Sequence, residues 1–343
     1  MHRLMSVRAL IFGPEQVYWE CAKATWCEEA FWESPDHPEL YRHSATTVGF
    51  SIVTKADPQP FEYLYRELAQ RYSQLHFTFQ SDKFNAFRGI LKLLERACNQ
   101  KFFWAMPLTY FGDALAWKGT DNLQRNTSKQ SQAGANGKIV AVPFPSWAWV
   151  GWIGENEIHL RDSWDGQEQL IIFYRLNEEG SNLEILNQSK PPAEDLRCAV
   201  EEPAETLFPS SFDRSNTVVT IEQLPSHVLS SPLAALIICF WSSTASLNLC
   251  REASSVAGRA DPVRLTQAGR EVTRTYFSSW PTMQPGESKS YEFVVVKRGK
   301  EDMQFHVLLI EWENGVAYRQ GVAIIAERYW EELETEWKLI ILG

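Results

Sequence analysis

"MQFHVLLIEWENGVAYRQGVAII", residues 303–325, consists of two apolar runs joined by Asn314-Gly315. Asn-Gly supplies the two positive φ angles that a type I′ turn needs, so this stretch reads as an antiparallel hairpin. Upstream, "YEFVVVKR" (291–298) reads as a further strand, and downstream "LIIL" (339–342) reads as a last one. Between them "AERYWEELETEW" (326–337) has helical spacing. Trp330, Leu333 and Trp337 mark one face, and Glu331, Glu332, Glu334 and Glu336 mark the wet one. Residues 139–343 are therefore expected to form a mainly antiparallel β region with a C-terminal helix.

Further upstream, "LAALIICFW" (233–241) reads as a buried strand and "TVVTIE" (217–222) as another. Residues 242–290 give only weak signals for several small elements. Residues 177–216 are polar and acidic and predict loops with one or two short strands. "QLIIFYRL" (169–176) predicts a strand, and Glu155-Asn156-Glu157 predicts a turn into "IHLR". "VPFPSWAWVGWIG" (142–154) alternates with period two, with Trp147, Trp149, Gly151 and Ile153 on one face and Ala148, Val150 and Trp152 on the other. Apolar residues on both faces predict a strand covered on both sides. If buried, each indole N–H needs a partner.

Residues 118–138, "KGTDNLQRNTSKQSQAGANGK", hold almost no large apolar side chain. They are expected to be a flexible, solvated loop and the boundary between two halves. The half before it, 22–117, reads as helical. Phe61, Leu64, Tyr65, Leu68 and Tyr72 make one stripe. Phe84, Phe87, Leu91, Leu94 and Cys98 make another, with Ser81 or Asp82 as its cap and Lys83, Arg88, Lys92 and Glu95 facing water. Gly89 inside that helix costs about 1 kcal/mol against Ala and lets a neighbour approach closely. A third helix is expected over about 108–117. Residues 22–60 read as irregular, with one short helix near 27–31. At the N-terminus, "RALIFGPEQVYWEC" (8–21) predicts a hairpin of Arg8–Phe12 and Val17–Cys21 broken at Gly13-Pro14. The whole is an α+β chain.

At 343 residues, 44% hydrophobic and 22% charged, the chain can bury a large core. The net charge of -10 and scattered Lys and Arg argue against nucleic acid as a partner. The longest apolar run is too short for a membrane-spanning helix, and the first residues, with Arg3 and Arg8 interrupting the approach to the apolar residues 9–12, do not read as a secretory signal. The six cysteines lack zinc or disulfide-framework spacing, which points to a reducing, cytoplasmic compartment. Cys98 and Cys239 read as small buried hydrophobes, and Cys21 has no base beside it. The seven histidines are isolated, and no nucleophile elbow or phosphate-binding glycine loop occurs. Asp162, Asp165 and Glu168 near Trp164 could flank a sugar, which with the 14 tryptophans keeps a carbohydrate-binding or glycoside-hydrolysing protein as the alternative. The residues call for no cofactor and no metal.

The chain resembles the C-terminal part of fungal heterokaryon-incompatibility (HET) domain proteins. The residues that carry the resemblance are "LIFGPEQVYWEC", "SDKFNAFRGI", "PSWAWVGWIG" and "GVAYRQGVAII…YW". The first is similar to the closing hairpin of the HET domain, the second to the family's "D-[KR]-x-x-A-x-x-G-[IL]" helix, and the third to its "PSWSW" strand. The matching positions include Trp19, Cys21, Asp82, Gly89, Pro145, Ser146, Trp147, Trp149 and Gly321, all expected to be structural. The family's "SY-x-WG" strand, "W-I-D-x-x-C-I-[ND]-Q" strand and "GW-x-x-QE" helix have no counterpart. The resemblance therefore implies a truncated member, with residues 1–21 as a remnant hairpin. Any nucleotide-cleaving or signalling site of the family would lie mainly in the missing segment, and no catalytic residue carries over. It implies a non-catalytic protein of nonself recognition and cell death that works through a protein partner. The hairpin edge is available for self-association.

Overall fold

The computed structural model describes residues 8–12, 17–21, 25–27, 60–119, 123–133, 139–158, 160, 171–177, 180–186, 217–251, 263–275, 286–299 and 303–343. At the N-terminus, β1 (Arg8–Phe12) and β2 (Val17–Cys21) pair antiparallel as the sequence predicts. A third strand, β3 (Thr25–Cys27), adds to β2, so the hairpin sits in its own three-stranded sheet. The short helix expected near 27–31 lies outside the described residues beyond Cys27.

Helices α1 (Phe61–Ser73) and α2 (Lys83–Cys98) follow the two apolar stripes. Leu64, Tyr65, Leu68, Tyr72, Phe87, Leu91 and Leu94 are buried. The expected side-chain cap of α2 is absent. The chain enters already helical through a 3-10 turn at Gln80–Asp82, whose Asp82 N–H donates to the Phe79 carbonyl. Early amides bonded in this way leave the Asp82 carboxylate nothing to cap. Strands β4 (Phe102–Phe103) and β5 (Met106–Pro107) form a tight hairpin through Trp104 and Ala105, both at positive φ. After a 3-10 turn at Leu108–Tyr110 comes α3 (Phe111–Leu115).

The described part of the stretch 118–138, residues 118–119 and 123–133, is not a solvated loop. It contributes β6 (Lys118–Gly119), β7 (Gln124–Arg125) and β8 (Lys129–Ala133), and Asn126 and Gln130 are buried. β8 pairs with β9 (Ile139–Pro143), β7 with β10 (Trp152–Ile153), and β6 with β11 (Asn156–Glu157). The expected turn at 155–157 is therefore itself a paired strand. Of the described part of the run, 171–176, only β12 (Tyr174–Leu176) is a strand, and it pairs with β13 (Leu183–Ile185).

Residues 217–222 are not a strand. Thr220 and Gln223 form a capping box around a 3-10 turn at Ile221–Gln223, a T-x-x-Q signal that outweighs the β-branched residues. The one-turn helix α4 (Ser226–Leu229) and a 3-10 turn at Pro232–Ala235 follow. Within "LAALIICFW" the strand begins only at Ile238.

That strand, β14 (Ile238–Arg251), is long, and the hairpin β15 (Val263–Gln267) and β16 (Arg270–Thr275) attaches to its end. β17 (Ser288–Gly299), β18 (Gln304–Glu313) and β19 (Val316–Ala326) then run antiparallel in sequence, turning at Asn314 and Gly315 with φ of 51° and 77°. The expected terminal helix is one turn, α5 (Glu327–Glu331), and β20 (Thr335–Leu342) takes the rest. Glu332 and Glu336 would have repelled each other one helical turn apart. In β20, Thr335 and Trp337 instead pair with Ala245 and Ser243 of β14.

β14 pairs with β17, β17 with β18, β18 with β19, β19 with β20 through Ala317 and Leu342, and β20 again with β14. The five strands close on themselves, which removes their open edges. Bulges between Val295 and Lys297 and between Leu309 and Ile310 bend the strands for closure. Side chains of α1, α2, the 144–152 segment and the barrel share one continuous core.

Candidate functional site

Residues 144–152 are not the covered strand that their alternation predicts. Pro143 ends β9, and Pro145 has no N–H to give a ladder. The chain instead bends through Ser146–Ala148 into a 3-10 turn at Trp149–Gly151. The interior placement of the tryptophans holds, since Trp147, Trp149 and Trp152 are all buried.

An irregular buried segment needs partners for its carbonyls. Among the donors are the half-buried Arg125, the buried Lys83, two indoles and the Asn126 N–H, which reaches the Gly151 carbonyl at 2.9 Å; a third cation, Arg319, serves the neighbouring turn. Arg125 donates from Nη1 to the Gly151 (2.6 Å) and Pro145 (3.3 Å) carbonyls and from Nη2 to Phe144 (2.8 Å). Lys83, 1% exposed and not in water as its helix position predicts, donates from Nζ to the Trp152 carbonyl at 2.5 Å. Trp152 Nε1 donates to the Ser146 carbonyl at 2.7 Å, and Trp117 Nε1 donates to that of Trp147 at 2.8 Å. Trp147 Nε1 reaches the Leu236 carbonyl at 3.0 Å, and Trp149 Nε1 reaches the Tyr65 hydroxyl at 3.0 Å. The Tyr65 hydroxyl in turn donates to the Ala105 carbonyl at 2.6 Å, tying the strained Trp104-Ala105 turn to the loop.

Ser146 joins the loop to the barrel closure. Its N–H and hydroxyl both donate to the Gly343 carbonyl, and its Oγ accepts from Arg319 N–H at 2.9 Å. Gly343 N–H in turn donates to Ala317 at 2.9 Å. Arg319, inward on β19, donates from Nη1 to the Leu115 carbonyl at 2.6 Å and from Nη2 to that of Trp117, with its guanidinium 3.8 Å from the Trp117 ring centroid. Lys83 and Arg125 likewise stand over the Trp149 and Trp152 rings at 5.6 and 5.3 Å. Among the described residues none of the three cations is paired with a carboxylate.

Burial shifts these groups. It pulls the Lys83 ammonium down to about 8 from its ordinary 10.5, and Arg125 down to about 10. It holds the Tyr65 phenol protonated far above its usual range. Between about pH 8 and 10.5 the unfolded chain keeps a proton on Lys83 that the folded chain has given up. Stability therefore rises with pH across that window. The stability of the wild type minus that of Lys83→Met is expected to climb by on the order of 3 kcal/mol between pH 7.5 and 10.5, read from urea unfolding at each pH. A difference that stays flat would mean that the buried ammonium keeps its proton.

Gly151 is where Arg125 and the loop meet. A Cβ there would lie 2.2 Å from the Pro145 carbonyl oxygen and 2.6 Å from Arg125 Nη1. Gly151→Ala is expected to cost about 1–3 kcal/mol by overpacking, measured by thermal unfolding. No loss would mean that the loop has room to spread.

The structure brings Pro145, Ser146, Trp147 and Trp149 together and sets Gly321 on the inward face of β19, two residues beyond Arg319. Asp82 is exposed at the start of α2, next to Lys83, and Gly89 is half-buried within that helix. Trp19 and Cys21 lie in β2, and nothing is described of their side chains. Asp162, Trp164, Asp165 and Glu168 lie outside the described residues. Cys239 is buried, with its thiol pushed up to about 12, as its apolar neighbours predict. Sequence reasoning set Lys83 in water, where the structure buries it, and passed over Arg125 and Arg319. Only Arg319 has a local signal: it occupies an inward position in the alternation Ala317, Arg319, Gly321, Ala323.

Beside this loop, at the β18–β19 turn, lies a shallow cleft of about 510 Å3 lined by Arg125, Glu311, Trp312, Glu313, Tyr318 and Gln320. Trp312 is 36% exposed, in contrast to the buried loop tryptophans. Among the described residues no group of three or more His, Cys, Asp or Glu is placed to hold a metal ion, and no helix is long and apolar enough to cross a membrane. Comparison of the chain with protein-family models, curated proteins and solved structures gives no match.

Proposed function

We propose that the chain is a non-catalytic interaction protein of the heterokaryon-incompatibility type, acting in the cytoplasm through protein contacts. One observation supports this above the others. The most distinctive motif, the indole-rich loop, gives its ring surface and every indole N–H to the interior. Side chains locked in this way are scaffold and leave no reacting group exposed. The net charge of -10 weighs against a nucleic-acid partner. Reducing surroundings fit the buried Cys239 thiol.

The experiment is expression of the full chain in a panel of genetically distinct fungal strains. Growth arrest in some strains and not in others is expected. Equal growth in all of them overturns the reading.

The second reading, a glycan-binding protein, moves from the buried Trp147 and Trp149 to Trp312, which is exposed beside Glu311 and Glu313. A glycan-array signal that Trp312→Ala abolishes without lowering Tm would favour it.

A further inference from the structure

The cleft at the β18–β19 turn contains groups already spent and groups left over. The two terminal nitrogens of Arg125 are committed to three loop carbonyls, so its charge is anchored in the floor. Glu311 is held by Lys289 at 2.8 Å. Trp312 Nε1 donates to Glu292, which also takes the Lys338 ammonium at 3.0 Å. That ammonium stands 4.9 Å from the centroid of the Trp312 ring, so the indole already serves one cation of this chain.

Three groups are unspent. Among the described residues the Glu313 carboxylate has no ion pair or hydrogen bond. The Tyr318 phenol, kept protonated by burial and then by the nearby Glu313 charge, has a hydroxyl to donate. The exposed part of Trp312 offers a ring surface. Arg125 keeps its positive charge in the floor but turns its donors to the loop carbonyls, so among the described residues the carboxylate left without a partner is Glu313. It stands close enough to Tyr318 to act on its phenol, and the chain as a whole is negative.

We infer that this cleft receives an arginine side chain from a protein partner. A guanidinium can give two parallel N–H bonds to Glu313 while its flat face stacks on an aromatic ring. A lysine ammonium has no flat face to stack, and a neutral sugar leaves the Glu313 charge unpaired. This rests on the reading of the chain as an interaction protein.

The test is nuclear magnetic resonance of the full chain, following the Trp312 indole N–H, which is assigned by its loss in Trp312→Phe. The probes are an acetylated, amidated Gly-Ser-Gly-Arg-Gly-Ser-Gly peptide, the same peptide with Gln for Arg, and chitohexaose. The Arg peptide is expected to shift the signal saturably and more weakly at higher salt, at least tenfold tighter than the Gln peptide. Glu313→Gln, a change at an exposed position, is expected to abolish that tenfold preference with Tm unchanged. No shift with the Arg peptide, an equal shift with the Gln peptide, a shift with chitohexaose alone, or an Arg preference that survives Glu313→Gln would overturn the inference. Strain-dependent growth arrest that persists beside any of these results leaves the broader reading in place. Equal growth in every strain removes that reading whatever the resonance does.

Discussion

Trp149→Ala is expected to remove about 4 kcal/mol of stability and to lower Tm by about 10 °C. The indole is fully buried, with its edges against Phe87 at 5.0 Å and Tyr72 at 6.3 Å between ring centroids. Truncation opens a cavity between α1, α2 and the loop, and it leaves the Lys83 ammonium without the ring beneath it. It also takes the donor from the Tyr65 hydroxyl, which holds the Trp104-Ala105 turn. Trp149→Phe separates these effects. It keeps an aromatic ring in the site but loses the N–H and part of the indole volume, so about 1–3 kcal/mol is expected. Urea unfolding of both variants measures the difference. A Trp149→Ala cost below about 1 kcal/mol would show that the loop does not hold the helices to the barrel.

How much of this was legible depends on where each segment finds its hydrogen bonds. α2 closes its own backbone, and its stripe of Phe87, Leu91 and Leu94 gives it away. The β18–β19 hairpin is announced by two residues, Asn314 and Gly315, that tolerate positive φ. The 144–152 loop satisfies its carbonyls with side chains from remote segments, so its own residues carry only the misleading alternation. Pro145 was the one local warning. The same remoteness explains the stretch 118–138, whose polar residues read as solvated although Arg125 and Asn126 serve the loop. The start of β14 is legible in "IICFW", but its continuation is hidden by "SSTAS" (242–246), three of whose polar residues are buried: Ser242 donates to the Val295 carbonyl, Ser243 accepts from Trp330 Nε1, and Thr244 donates to the Glu336 carbonyl. At the cleft, Glu313 and Trp312 look like ordinary turn-flanking residues until the barrel sets them beside Tyr318 and Arg125.

Arg319→Leu is expected to cost about 3–5 kcal/mol and to loosen the barrel where β19 meets β20. The guanidinium is deeply buried, and burial draws its pKa well below the usual arginine range. Its compensation is local: two carbonyls at the end of α3 and the Trp117 ring face. A leucine fills similar volume but strands both carbonyls in a dry interior. It also removes the side chain that fixes the β19 backbone beside Ser146, whose hydroxyl bridges Arg319 N–H and the Gly343 carbonyl. Arg319→Lys keeps the charge and loses the fork, because one ammonium cannot reach both carbonyls and lie flat on the ring. It should fall between wild type and Leu. Hydrogen exchange locates the damage: the amides of Ala317, Arg319 and Gly343 should lose protection before those of the β17–β18 ladder. A leucine variant as stable as wild type, with these amides still protected, would mean that the parallel β19–β20 join stands without its buried cation.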